Sequence, residues 1–294
     1  MIEPPVSATT VPFDEGIDLT TTATAPATER VSREAMRQRL KETVRRIAKR
    51  QRLLFADGRF AVLIVLQGLD AAGKDSTVRA VLSRVNPAGC RVHSFGVPSD
   101  DERRHDFLWR VAERLPARGM IGVFNRSHYE EVLIARVHPE LLKAQRLPSG
   151  PPDDAFWRQR LEAIRGFERH LANEGTVILK FWLHVSADEQ RRRFLRRLEH
   201  PKKYWKFDDS DVRERRFRAN YLRAAEQALS ATSRPWAPWY VIPADDKPWM
   251  RQMVGDILRE TLDALPLEWP SPDGDEEARL ARIRRTLEDE EGPV

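Results

Sequence analysis

Residues 60–74 constrain the fold more than any other stretch. FAVLIVLQ (60–67) is a short apolar, β-branched run that stops at Gly68. A run of this length with no polar face reads as a strand covered on both sides, which points to a parallel sheet. The loop that follows, GLDAAGKDST (68–77), carries Gly68, Gly73 and Lys74 in G-x-x-x-x-G-K spacing. Glycines at those positions let the backbone N–H groups of Ala71, Ala72, Gly73, Lys74, Asp75 and Ser76 turn inward around phosphate oxygens. The helix beginning at Lys74 adds the positive end of its dipole, and the lysine adds a point charge.

Strand and helix signals alternate through the rest of the core. CRVHSF (90–95), MIGVF (120–124), TVILKFWLHV (176–185) and WYVI (239–242) read as four further strands. Met36, Leu40, Val44, Ile47 and Leu54 lie on one face of a helix capped by Ser32. Ser99 with Glu102, and Ser186 with Glu189, form capping boxes that open helices to about Leu115 and Glu199. Helices are also expected from Asp153–Asp154 to Glu174, over 210–230 and over 247–264. The fold class is therefore α/β, a three-layer α/β/α sandwich around a five-stranded parallel sheet. Ligands bind such sheets at the loops that follow the strands. Residues 1–30, rich in Thr, Ala and Pro, are expected to be a disordered tail; 31–268 form the domain; 269–294 form a second tail with a weak helix near 276–288.

The loop's acidic residues depart from the common nucleotide-binding pattern. Asp75 follows Lys74 where a triphosphatase has a magnesium-holding Ser or Thr. Asp70 sits inside the loop, where a carboxylate among phosphates is repulsive unless a cation lies between. Asp70 is thus a candidate Mg²⁺ ligand, the alternative being a turn-forming aspartate. The third strand ends at Asn125, a neutral oxygen donor where a second metal carboxylate is usual, with Glu130 as a helper. Arg126 is placed to clamp a phosphoryl group with both nitrogens. His128 reads as a structural hydrogen-bonding residue, and Lys180, inside an apolar strand, needs either a buried partner or a route to the surface. Asp245 and Lys247 either pair locally or face a base.

The chain is basic, with 50 Lys+Arg against 45 Asp+Glu, which favours polyanionic partners. Its single cysteine, Cys90, excludes an intrachain disulfide and any multi-cysteine metal site. No apolar run approaches 18 residues, so no membrane partner is expected. The acidic, proline-broken start does not read as a signal peptide, and the expected location is cytoplasmic. The cations crowd together between Arg191 and Arg218, interleaved with Tyr204, Trp205 and Phe207. They form either a solvated face, a phosphate-binding lid over about 193–218, or a surface on which nucleic-acid bases stack. The lid is the favoured reading, and nucleic acid the weaker one.

Six blocks in order carry a resemblance to a known family: GLDAAGKDST, HDFLWR (105–110), FNRSHYEEVLIARVH (124–138), LKFWLHVSADEQRRRF (179–194), KYWKF (203–207) and APWYVIPADDK (237–247). The chain resembles the polyphosphate kinase 2 family over residues 35 to 265. With Asn125 in FNRSHYE, it is similar to the subgroup called class III, whose members phosphorylate nucleoside mono- and diphosphates. The resemblance implies a P-loop kinase fold with a helical lid, Mg²⁺ as cofactor, and inorganic polyphosphate as donor. It also implies AMP, ADP or their guanine equivalents as acceptors, and a homo-oligomer, dimer or tetramer. By position, Asp70, Lys74 and Arg126 would be catalytic, with Asp70 and Asn125 on the metal. Gly68, Ala71–Ser76, Arg193, Lys203 and Lys206 would bind polyphosphate, and Asn125, Arg126 and Glu130 the nucleotide. Two blocks depart from many relatives: Ser94-Phe95-Gly96-Val97-Pro98 for SFKAP, and Arg218-Ala219-Asn220-Tyr221 for WDDY. The alternatives are an ATP-dependent kinase on the same scaffold and a non-enzymatic polyanion binder.

Overall fold

The computed structural model describes residues 1–13, 15–26, 31–148, 152–206 and 209–290, without the side chains of 203, 205, 206 and 211. Five strands, β1 (Ala61–Gln67), β2 (Cys90–Ser94), β3 (Ile121–Asn125), β4 (Thr176–His184) and β5 (Trp239–Pro243), form one sheet in the order β2-β3-β1-β4-β5. Every pairing is parallel. The strands' C-terminal ends therefore share one edge, and the 68–77 loop and Asn125 both lie there.

The helices are α1 (Arg33–Asp57), α2 (Lys74–Val81), α3 (Trp109–Ala112), α4 (Glu130–Val137), α5 (Asp154–Asn173), α6 (Ala187–Leu198), α7 (Asp209–Glu214), α8 (Arg218–Thr232), α9 (Lys247–Ala264) and α10 (Gly274–Asp289). β1 shows why the sheet is sandwiched. Its seven residues are all buried, and alternate side chains feed different cores. Leu63 and Val65 join Val132, Ile164 and Leu229 from α4, α5 and α8. Val62, Ile64 and Leu66 join Ile47, Val81 and Leu258 from α1, α2 and α9. The period-two alternation of a strand thus builds both outer layers.

Local sequence signals set most helix starts. Ser32 accepts from the Ala35 amide at 3.1 Å, and Asp153 accepts from Phe156 at 2.8 Å. Ser99 and Glu102 close their reciprocal box at 2.7 and 3.2 Å, but no helix runs from it to Leu115. A single 3₁₀ turn ends at extended His105, and Asp106 then caps the Leu108 amide at 2.9 Å, so the chain restarts as the short α3. Cys90 is half-buried at the start of edge strand β2, and burial pushes its thiol pKa up to about 11, away from reactivity.

The N-terminal segment is not a loose tail, contrary to its composition. Residues 9–11 add an antiparallel rung to the outer edge of β5: the Val11 amide donates to Trp239 O and the Val241 amide to Thr9 O, both at 2.8 Å. Val11 and Leu19 are fully buried. The Leu19 amide donates to Glu226 on α8, and the Thr24 hydroxyl to Asp245, each at 2.8 Å. Isolated apolar residues without periodicity suffice here because an open sheet edge supplies the rest. Leu19→Ala is therefore expected to cost about 2–5 kcal/mol of stability, read as a lower urea midpoint. An unattached tail would leave the midpoint where it was. At the other terminus the weak helical signal near 276–288 is the helix α10, which has no buried residue. No helix among the described residues is long and apolar enough to cross a membrane.

Candidate active site

The loop after β1 takes its shape from two glycines. Gly68 sits at φ +147°, and a Cβ there would lie 2.7 Å from Leu183 O; Gly73 sits at φ +114°. Ala71 (φ 60°), inside the loop, and Arg126 (φ 63°), one residue past β3, are left-handed without being glycine. Strain of this kind costs about 1–3 kcal/mol per residue and persists where surrounding contacts enforce it.

Side chains from both strand ends converge above the sheet. Lys74 Nζ folds over its own loop and donates to Gly68 O at 2.6 Å. Burial, and next Arg126, push its ammonium pKa down, while Asp70, Glu130 and Asp75 push it back. Arg126 Nη2 donates to Asp70 Oδ1 at 3.0 Å, and Arg126 Nη1 lies 4.0 Å from Glu130 Oε2. Burial raises the Glu130 carboxyl pKa against the pull of Arg126 and Lys74. Asn125 Nδ2 donates to Asp75 Oδ1 at 2.8 Å, and its buried Oδ1 has no donor among the described residues.

Two clefts open from this point. The first, about 470 Å³, is walled by Leu69, Leu133, Ile134, Leu141, Trp182 and Tyr221, with Glu130, His138, Glu214, Arg215 and Arg218 between them. The second, about 880 Å³, is lined by residues 70–76 with Arg79, Arg193, Arg196, Arg197, Lys202 and Lys247; Phe95 is its one aromatic among the described side chains. Three residues belong to both clefts: Asp70, Lys74 and Arg126.

The family model of polyphosphate kinase 2 (PPK2) matches residues 30–268. The chain belongs to that family. It is 47% identical over 257 residues to the ADP-polyphosphate phosphotransferase of Rhodopseudomonas palustris, covering 87% of this chain and 89% of that one. It is 49% identical over 230 residues to the AMP/ADP-polyphosphate phosphotransferase of Meiothermus ruber, covering 78% and 82%. The crystal structure of polyphosphate kinase 2 from Arthrobacter aurescens TC1 superposes with a TM-score of 0.83 at 34% identity, over 94% of this chain and 99% of that one. The PPK2 fold is thus the α/β/α arrangement expected from the strand–helix alternation.

Several site expectations for this PPK2 chain change in detail. Arg193 lines the cationic cleft and is also bonded within the protein. Its Nε donates to Glu189 at 2.9 Å, Nη1 to Ala71 O and Ala72 O at 3.0 and 2.6 Å, and Nη2 to Ala244 O and Asp245 O. All five N–H donors are engaged, so this buried arginine braces the glycine loop from behind. Among the described residues no hydrogen bond joins Asp70 to Asn125; the first meets Arg126 and the second Asp75. The side chains of Lys203 and Lys206 lie outside the described ones. Asp245 does not pair with Lys247: it accepts from Thr24 and from the Ser186 amide. Lys247 instead stands among cations, and burial, then Arg193, Arg196 and Arg251, lower its pKa to about 8.

Lys180, Glu168, Tyr129, His128 and Thr232 form a buried polar network under the site. Lys180 Nζ is ion-paired with Glu168 and donates to Tyr129 Oη at 3.0 Å and to Thr232 O at 2.9 Å. Tyr129 Oη donates to Glu168 at 2.8 Å, and His128 Nε2 lies 3.4 Å from the same carboxylate. Burial opposes ionisation of Glu168, but Lys180 and His128 outweigh it and hold its carboxyl below the usual range. His128 is structural, as its sequence context suggested. Trp182, Tyr221, His138 and Arg79 were not singled out for the site from sequence. Trp182 could have been, since it lies near the C-terminal end of β4 at the binding edge; His138 and Tyr221 close two of the blocks quoted above but do not mark a site by residue type, and Arg79 belongs to no block.

Proposed function

We propose that this protein transfers the terminal phosphoryl group of inorganic polyphosphate to a nucleoside mono- or diphosphate, reversibly. The observation that carries the reading is the shared wall: two clefts of different chemistry meet at Asp70, Lys74 and Arg126. The apolar and aromatic cleft suits a nucleoside, with Trp182 and Tyr221 able to flank a base. The cationic cleft, with Phe95 as its one aromatic among the described side chains, suits a chain that is all phosphate. Curated relatives named ADP- and AMP/ADP-polyphosphate phosphotransferase support both substrate classes.

In the reaction an acceptor phosphate oxygen attacks the terminal phosphorus of the donor. The bond to the bridging oxygen breaks, and the shortened polyphosphate leaves with the electron pair. The acceptor oxygen is already anionic, so no general base is required. The protein's work is alignment and charge neutralisation. Lys74 and Arg126 face the transferring group's oxygens, and the glycine loop supplies backbone N–H donors. Arg193 keeps that loop in place.

The donors present fit Mg²⁺. Asp70 and Asp75 offer hard carboxylate oxygens, and Asn125 Oδ1 is a buried oxygen with no hydrogen-bond donor among the described residues. No group of three or more metal-holding His, Cys, Asp or Glu side chains occurs among the described residues. That suits an ion that takes one or two protein oxygens and completes its shell with water and substrate phosphate. Bound there, Mg²⁺ would offset the negative charge of two phosphate groups brought together.

The test is ATP formation from ADP, polyphosphate and Mg²⁺, repeated with AMP as acceptor and with ATP in place of polyphosphate as donor. Transfer from polyphosphate that falls steeply with added salt is the expected result. Absence of product with both acceptors would refute the reading, and a preference for ATP as donor would make this an ordinary kinase.

A further inference from the structure

The basic stretch over 193–218 divides between the two clefts. Arg193, Arg196, Arg197 and Lys202 line the cationic one. Ser210, Glu214, Arg215 and Arg218 line the apolar and aromatic one. This second group is fastened on two sides. On one side Arg215 Nη2 donates to Ala187 O at 3.2 Å and Arg218 Nη2 to Val185 O at 2.6 Å, both at the junction of β4 and α6. On the other, Glu214, the last residue of α7, gathers donors from two further elements on one carboxylate oxygen.

Tyr221 Oη, on α8, donates to Glu214 Oε2 at 2.6 Å, and His138 Nε2 lies 2.9 Å from the same oxygen. An ionised carboxylate only accepts, so the proton of the second bond sits on Nε2 of the imidazole. Burial, and next the bond to Glu214, push the Tyr221 phenol pKa far up, so the tyrosine remains a donor. The imidazole is itself held in place. Its Nδ1 lies 3.3 Å from Glu140 Oε1, and the Phe217 ring meets it edge-on with centroids 5.0 Å apart. The His138 amide donates to Ile134 O at 2.8 Å and so closes the last turn of α4. That helix supplies Glu130, Leu133 and Ile134 to the same cleft. His138 therefore links the wall made by α4 to the wall made by α7 and α8. With its donor gone, only Tyr221 bonds Glu214 Oε2 among the described residues, and the link to α4 is lost.

We infer that His138 is a positioning residue for the acceptor: through Glu214 it holds the α7 end of the basic stretch and the Tyr221 ring at a fixed distance from the α4 wall. The inference rests on the functional reading above. It adds that the part of the stretch from Ser210 onward serves the acceptor, while the part ending at Lys202 faces the donor. His138 acts through Glu214 and not on the reacting atoms.

The experiment uses the full chain with His138→Phe, His138→Gln and Tyr221→Phe. The phenylalanine keeps a ring against Phe217 and loses the donor, whereas the glutamine keeps an N–H donor. KM is measured for the better acceptor of ADP and AMP at saturating polyphosphate, and for polyphosphate at saturating acceptor. His138→Phe should raise the acceptor KM about tenfold, with kcat and the polyphosphate KM within about twofold of wild type. His138→Gln should bring the acceptor KM back to within about threefold. Tyr221→Phe should raise it about fivefold, and the double variant with His138→Phe should fall short of the product of the two losses, because both bonds end on one oxygen. A second readout needs no turnover: the rise in Tm that the nucleotide gives the wild type should shrink in His138→Phe. If the wild type transfers nothing but this Tm difference holds, the functional reading fails and the role of His138 stands. An unaltered acceptor KM in His138→Phe overturns the inference. So does a parallel rise in both KM values with a lower ligand-free Tm, which marks plain structural support, or equal damage from phenylalanine and glutamine. Should His138→Phe fail to fold, Tyr221→Phe decides by the same split between acceptor and donor KM.

Discussion

Lys74→Ala is expected to lower kcat for polyphosphate-dependent transfer by about three orders of magnitude, with a smaller change in the KM of either substrate. Lys74 borders both clefts, so its ammonium lies where the transferred group must pass. Charge on that group's oxygens is spread most widely midway between donor and acceptor, and a cation placed there stabilises the transition state more than either bound substrate. The loop should survive the substitution. Its shape rests on Gly68 and Gly73 and on Arg193 bonding to Ala71 O and Ala72 O, and the lysine's own hydrogen bonds only fold it back on Gly68 O. Stability should therefore move little. Turnover that persisted at more than about a tenth of the wild-type rate would remove Lys74 from the chemistry and shift the burden to Arg126.

Lys180→Met is expected to be the most damaging core substitution, at about 3–5 kcal/mol. The lysine is fully buried, and its partner Glu168 is almost as inaccessible. Removing the ammonium leaves a carboxylate in the core with only Tyr129 and His128 to bond it. The double variant Lys180→Met, Glu168→Leu should recover much of the loss, because the uncompensated charge goes with it. Urea midpoints of the two single variants and the double measure this as a coupling energy. Equal losses that simply add would mean that the pair is not coupled. The network also touches the site: His128 and Tyr129 follow Arg126 by two and three residues, so loosening them should release the strained Arg126 backbone.

The sheet was legible because each strand is a short apolar run bounded by turn signals, and FAVLIVLQ with its glycine loop fixes both the layer and the ligand edge. The Ser99–Glu102 box misled because a cap starts a helix without lengthening it; Asp106 caps a second start four residues on. The N-terminal segment was illegible for a different reason. Val11 and Leu19 have no periodic context, and only residues more than two hundred positions away decide that they are buried. That Asp70, Lys74 and Arg126 would meet at the sheet's binding edge was readable because one motif and one strand end carry them. For Arg193 the sequence did not show its hold on Ala71 O and Ala72 O. A basic run does not reveal which of its members points inward at carbonyl oxygens. Arg79, Tyr221 and Trp182 each come from a separate element, and only the folded chain brings them to one edge.

The strap over β5 has a consequence for the order of events in biosynthesis. Pro5 O accepts from the Tyr240 hydroxyl at 2.6 Å across 235 residues of sequence, so residues 5–11, made first, have no strand to pair with until β5 leaves the ribosome. Its closure is a late, high-contact-order step. Until then β5 keeps an open flank that could recruit a neighbouring chain. Nascent chains stalled short of residue 239 should accordingly leave residues 1–11 open to protease, and release of the finished polypeptide should shut that window.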